Sequence, residues 1–293
     1  MTGEVKTVAV LGAGTMGRGI AQVAAAHGLA ARLFDVSEPQ LRAARVAVGA
    51  ELEKRVAKGK LAAPERDALL ARITDEPDLA RAVSGAELVI EAAPESMSVK
   101  VELFQTVLAH APEQALLASN TSSLSLTELG HRIGAPGRTI GLHFFNPPPV
   151  MPLLEIVRGL GTSEESVTRA LAFAALIGKE PIVVRDVPGF ASSRLGVALG
   201  AEAMRMLEAG VASASDIDRA MELGYRHPMG PLKLTDLVGL DVRLAILEHL
   251  QREVGEQFRP PVILRQLVRA GRLGKKVGLG FYRWTEKGAE PVE

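Results

Sequence analysis

Cysteine is absent from this 293-residue chain, which excludes disulfides, thiolate metal sites and cysteine nucleophiles together. Net charge is absent too. Thirty-four basic side chains balance 34 acidic ones, so no overall field argues for nucleic acid or an anionic membrane. A local basic patch can still meet a phosphorylated small molecule. No uninterrupted apolar segment approaches membrane-spanning length, and the first residues run into Val5–Gly12 without a charged-then-apolar leader. These absences predict a soluble cytoplasmic protein. Aromatic residues make up only 4%, and Tyr282 and Trp284 read as packing for the C-terminal tail rather than as a ligand stack. No internal repeat or low-complexity segment stands out.

What is present is an ordinary globular composition, 47% apolar and 23% charged, long enough for one large domain or two. Short apolar runs alternate with helical patterns through the first two thirds. Strands are expected at Val5–Leu11, Ala30–Phe34, Leu88–Glu91, Ala115–Ser119, Arg138–His143, Leu153–Val157 and Pro181–Arg185. Helices are expected over 16–28, 39–58, 64–72, 99–110 and 164–177. Ser37 and Gln40 suggest a capping box, with Pro39 in the first turn. Such alternation predicts a mainly parallel sheet covered on both faces. From Pro188 onward the periodicity is helical, over 191–209, 214–222, 240–254 and 261–270, and the residues from Gly288 read as a frayed tail. The expected division is 1–187 and 188–293.

Gly12-x-Gly14-x-x-Gly17 lies between the first strand and the first helix, the context a dinucleotide fingerprint requires. The first glycine permits a tight turn, the second a close pyrophosphate, and the third close packing of helix on strand. The helix N-terminus then offers N–H groups to phosphate. Asp35 follows 18 residues after Gly17, at the end of the second strand. It can accept from a ribose 2′-hydroxyl and would repel a 2′-phosphate, so the expected cofactor is NAD.

The stretch Gly141–Val157, GLHFFNPPPVMPLLEIV, carries His143 and, 12 positions on, Glu155. Pro147, Pro148, Pro149 and Pro152 stiffen the link. A carboxylate inside the apolar run LLEIV needs a partner, and a carboxylate beside an imidazole fixes its tautomer and raises its basicity. A buried structural histidine is the plainer reading of His143 alone. The pairing with Glu155 shifts it toward a general base.

With these pieces in place the chain resembles the short-chain L-3-hydroxyacyl-CoA dehydrogenases, often called 3-hydroxybutyryl-CoA dehydrogenases in bacteria. The matching segments are VLGAGTMGRGIA (10–21), Glu91-x-x-x-Glu95 with Lys100, SNTSSLS (119–125), 141–157, DVPGF (186–190), HPMGPL (227–232), DLVGLD (236–241) and KKVGLGFY (275–282). The resemblance implies a Rossmann-type doubly wound α/β domain followed by an all-α C-terminal domain that serves substrate binding and dimerisation. It implies NAD-dependent oxidation of a short-chain L-3-hydroxyacyl-CoA, as in fatty-acid β-oxidation, with the acyl-CoA between the domains and a homodimer as the assembly. It makes His143 the base, Glu155 its partner, and Ser122 a contact to the substrate hydroxyl. Gly12, Gly14, Gly17, Asp35, Glu95, Lys100, Asn146 and Lys276 become the cofactor set.

One position departs. The family has an active-site asparagine three residues after the phenylalanine of Pro-Gly-Phe; here that residue is Ser193. The shorter hydroxyl keeps open a related substrate such as a free 3-hydroxy acid or a sugar acid, or a weakly catalytic NAD-binding relative. Ser122 and Ser123 are not separable by physics alone, since either can cap the next helix; the resemblance selects Ser122. Lys54, Lys58 and Lys60 read as a solvated helix end or as contacts to CoA phosphates. The remaining histidines, His27, His110, His131, His227 and His249, show no metal-ligand spacing.

Overall fold

The computed structural model describes residues 5–292. The chain divides into two compact units, the first ending at Val187 and the second starting at Pro188. The first contains β1 (Thr7–Leu11), α1 (Thr15–Ala26), β2 (Ala30–Phe34), α2 (Glu38–Ala57), α3 (Ala63–Ala71), β3 (Ile73–Asp75), α4 (Leu79–Val83), β4 (Leu88–Glu91), α5 (Met97–His110), β5 (Leu116–Ser119), α6 (Leu126–Arg132), β6 (Thr139–Phe144), β7 (Leu153–Arg158), α7 (Glu164–Leu176) and β8 (Glu180–Arg185). Its eight strands follow the order β3-β2-β1-β4-β5-β6-β7-β8.

The pairs from β3 across to β6 are all parallel. Their central strands are apolar apart from polar residues at their ends, such as Glu91 and Ser119, as expected for a sheet covered on both faces. Val8, Ala9, Val10 and Leu11 of β1 are fully buried, and each such valine or leucine contributes roughly 1.5–3 kcal/mol of burial. The order reverses beside β1, where doubly wound sheets open a crevice for a ligand.

β7 runs antiparallel to β6. The link 145–152 is only eight residues, and a parallel connection takes a dozen or more. The sequence reading overlooked β3, because Ile73 is the only apolar residue among its three. It also overlooked α4, a single short turn of helix.

The second unit holds α8 (Ser192–Glu208), α9 (Ala214–Gly224), α10 (Pro231–Val238), α11 (Leu240–Glu253), α12 (Val262–Arg269), β9 (Tyr282–Thr285) and β10 (Gly288–Pro291). α10 went unread because its eight residues lie between glycines and open on a proline. The expectation of a frayed tail is corrected: Gly288–Pro291 pairs antiparallel with β9, Ala289 opposite Trp284. The hairpin is anchored through the aromatic residues. Trp284 Nε1 donates to Asp236 at 2.9 Å, and Tyr282 Oη donates to Asp218 at 2.7 Å. Both carboxylates are fully buried. Asp218 also accepts from the backbone of Leu232 and Lys233 in the first turn of α10, and Asp236 from Phe281 and Tyr282. Gly230 and Gly280 lie so close to these carboxylates that a Cβ would collide with them. The segments HPMGPL, DLVGLD and KKVGLGFY are therefore parts of one buried polar framework.

Candidate active site

The glycine loop behaves as its spacing requires. Gly12 turns with φ +107°, and a Cβ there would meet Ala92 O at 2.6 Å; on Gly17 it would overlap Gly12 O at 1.7 Å. Neither position can carry a side chain. Gly14, the N-cap of α1, has nothing within 4 Å of a Cβ, so this is where a diphosphate can approach. The loop opens onto a cleft of about 570 Å³ lined by Gly12, Gly14, Asp35, Gln40, Ala93 and Pro94 among others.

Asp35 braces this loop. Its Oδ2 accepts from Ala13 N at 2.8 Å and its Oδ1 from Ser37 N at 2.9 Å, leaving carboxylate lone pairs for ribose hydroxyls. Ser37 caps α2 as expected. Gln40 does not close the box; its side chain donates to Ala13 O at 3.2 Å. Gln40 is thus a loop-holding residue that the capping pattern concealed.

On the far wall, Glu91 ends β4 with both oxygens engaged. Oε1 accepts from Lys100 Nζ and Ala93 N, each at 2.6 Å, and Oε2 from Ser119 Oγ at 2.6 Å. Lys100 is 1% exposed, and its ammonium also faces Glu95 at 3.3 Å. Glu95 Oε1 accepts from Thr121 Oγ1, Ser122 N and Ser123 Oγ. Partial burial pushes the Glu95 carboxyl up, but the Lys100 charge and these hydrogen bonds outweigh it and hold it below the usual range. Lys100 therefore fixes Glu95, and Glu95 fixes the loop 121–123. Glu91 could have been found by the rule that singled out Glu155, since LVIE is also a carboxylate in an apolar run.

The serines separate at once. Ser123 Oγ is committed to Glu95 at 3.0 Å, and α6 is capped by Ser125. Ser122 is exposed, and its hydroxyl has no hydrogen bond to a described residue. Ser125 Oγ and Thr127 N both bind Asp186, which gives the aspartate of DVPGF a structural task in the first unit.

His143 and Glu155 are opposite one another in the β6–β7 pair. Nδ1 and Oε2 are 2.7 Å apart, with the carboxylate fully buried and the imidazole 7% exposed. Phe145 tilts its ring against the imidazole at 4.7 Å. Asn120 Oδ1 accepts from Phe144 N at 2.9 Å, tying the end of β5 to the strand that carries His143. With Nδ1–H donated to the carboxylate, Nε2 carries the basic lone pair.

Asn146 is exposed in the turn after β6, and Lys54 and Lys58 are exposed at the end of α2. Arg55, their neighbour, lines a separate cavity of about 590 Å³ with Arg72 and Lys179. Ser193 is in the first turn of α8 in the second unit. Lys276, also in the second unit, pairs with Asp241 at 2.6 Å.

Residues 7–187 match the family described as 3-hydroxyacyl-CoA dehydrogenase, NAD binding domain, and residues 189–284 match 3-hydroxyacyl-CoA dehydrogenase, C-terminal domain. The chain is 44% identical to a probable 3-hydroxybutyryl-CoA dehydrogenase of Bacillus subtilis, over 97% of this chain and 99% of that protein. It is 44% identical to the 3-hydroxyadipyl-CoA dehydrogenase of Escherichia coli over 96% of its own length, but spans 59% of that longer protein. Among solved structures, the (S)-3-hydroxybutyryl-CoA dehydrogenase of Ralstonia eutropha superposes with a TM-score of 0.93 at 39% identity, covering 97% of this chain and 100% of that one.

Proposed function

Given that the chain belongs to the 3-hydroxyacyl-CoA dehydrogenase family and is thereby an NAD-dependent oxidoreductase of 3-hydroxyacyl-CoA, we propose that His143 is its general base and a short-chain L-3-hydroxyacyl-CoA, such as 3-hydroxybutyryl-CoA, its substrate. The buried His143–Glu155 pair at 2.7 Å carries this reading.

The loop at Gly12–Gly17, the helix that follows it and Asp35 are suited to hold NAD, whose nicotinamide, when bound, accepts the hydride from C3. The protein's own work is on the proton. Neutral His143 takes it from the substrate hydroxyl at Nε2, and Glu155 stabilises the imidazolium through Nδ1–H. Such acid–base help is worth about 10²–10⁴-fold. Ser122 hydrogen-bonds the substrate oxygen, a role supported by its exposed hydroxyl and by the backbone contact to Glu95 that holds it. Ser193 takes the family's asparagine role from α8, and Asn146 and Lys276 supply further cofactor contacts. Lys54 and Lys58 meet phosphates of CoA.

The working assembly is a homodimer in the cytoplasm, acting in β-oxidation. Exposed Leu195, Leu223, Tyr225 and Val262 on the helical unit support a partner face there. Among the described residues no helix is long and apolar enough to cross a membrane.

NADH oxidation tests the substrate class. Acetoacetyl-CoA should be reduced with a kcat/KM at least about 100-fold above that for free acetoacetate, because binding of the remote CoA handle contributes to the transition state. Equal rates would favour a free hydroxy acid as the natural substrate.

A further inference from the structure

Three basic side chains that take no part in the proposed chemistry line one cavity of the first unit, the space of about 590 Å³ between α1, α3 and the turn after β6. Arg55 comes from α2, Arg72 follows α3, and Lys179 precedes β8. Lys179 is only 9% exposed. Its Nζ donates to Pro148 O at 2.6 Å and to Met151 O at 2.7 Å, which holds the prolyl turn between the His143 and Glu155 strands. That task occupies two of the ammonium's three N–H groups and leaves its charge unanswered. A buried ion without a counter-charge is costly, and burial holds the Lys179 pKa below the ordinary lysine value.

The other two cations are engaged even less. Arg72 Nη1 reaches only Ala25 O, at 3.5 Å, and the Arg55 side chain makes no hydrogen bond to a described residue. No described carboxylate pairs with any of the three. The one carboxylate on the lining is that of Glu65, and its Oε2 already accepts from Ala62 N at 3.0 Å. Much of the remaining wall is apolar, including Leu61, Leu69, Val150 and Ile177. Three cations against one carboxylate select an anion, and the apolar wall selects one with an organic body.

We propose that this cavity is a second ligand site, separate from the cofactor cleft, that binds an organic phosphate monoester about the size of a mononucleotide. Arg55, Arg72 and Lys179 meet the phosphoryl oxygens, and the organic body packs on Leu61, Leu69 and Val150. A dianionic phosphoryl group suits this set better than a single carboxylate, because its oxygens can serve two planar forks and one ammonium together. The volume is of the size that holds a small organic ligand. In the proposed reading the phosphates of CoA meet Lys54 and Lys58, neither of which lines this cavity, so the occupant is a free molecule. It answers the Lys179 charge beside the turn that joins the His143 and Glu155 strands.

The test is isothermal titration calorimetry on the full chain with saturating NADH, which closes the cofactor cleft to the probe. The probes are naphthyl phosphate, inorganic phosphate and naphthol. Naphthyl phosphate should bind once per chain, at least about 10-fold more tightly than either fragment, because it uses both the cations and the apolar wall. Arg55→Ala and Arg72→Ala should each weaken it about 10-fold or more. Arg81→Ala, which removes an exposed arginine elsewhere in the unit, should change it less than about 3-fold. Saturating CoA should likewise leave the affinity within about 3-fold of its value without CoA. No binding, naphthol binding as tightly, affinity indifferent to Arg55 and Arg72, or equal losses in all three variants would overturn the proposal. Displacement by CoA would overturn it too, by making the cavity part of the substrate site.

Discussion

At the scale of single residues, carboxylates organise the site, and each is identified by the donors that answer it. Glu155 is answered by an imidazole, Glu91 by Lys100 and Ser119, and Glu95 by the loop 121–123. The last arrangement distinguishes neighbours that are chemically alike. Ser122 presents its hydroxyl, while Ser123 spends its own on Glu95. Ser122→Ala should therefore lower kcat/KM for acetoacetyl-CoA by roughly 10–100-fold, the scale of one lost hydrogen bond to a developing charge. Ser123→Ala should stay within about 3-fold, with NADH affinity unchanged in both. Steady-state kinetics with a fluorescence titration of NADH checks this, and the reverse order would exchange their roles. Glu155 was legible in sequence because a carboxylate in LLEIV is conspicuous. The Ser122–Ser123 distinction was not, since it depends on where Glu95 points.

At the scale of elements, the β4–α5 corner couples cofactor cleft to serine loop through Lys100. The ammonium and Glu91 are both fully buried, 1% and 0% exposed at the side chain, so breaking the pair leaves an uncompensated charge. Lys100→Met should cost about 3–5 kcal/mol of stability. It should also change the acid limb of the stability profile. In the folded protein Glu95 titrates below its ordinary range, first against the upward push of burial and then because of Lys100. That contribution is present above the unfolded value and disappears as pH falls through the folded one. Without Lys100 this acid dependence should shrink. Chemical denaturation at neutral and acid pH reads both effects, and an unchanged midpoint would refute the coupling. Most elements here were legible from periodicity. β3 and α10 were not, because one carries a single apolar residue and the other is bounded by glycines.

At the scale of the whole molecule, the two units are built on different principles. The first is a sheet whose apolar strands and glycine turn announce themselves in sequence. The second is held by Asp218 and Asp236, whose partners lie far along the chain at Tyr282 and Trp284. Local pattern does not show such pairings, which is why the C-terminal hairpin read as a loose tail. The carboxyls of both aspartates are pushed above their ordinary range, chiefly by burial.

On the proposed reading this architecture serves one proton transfer, and the most direct measurement is the turnover of His143→Ala with acetoacetyl-CoA and NADH alongside its affinity for NADH. The variant should lose at least about 10²–10⁴-fold in kcat while binding NADH within about 3-fold of wild type. A rate close to wild type, with the cofactor bound normally, would contradict the assignment of His143 as the base.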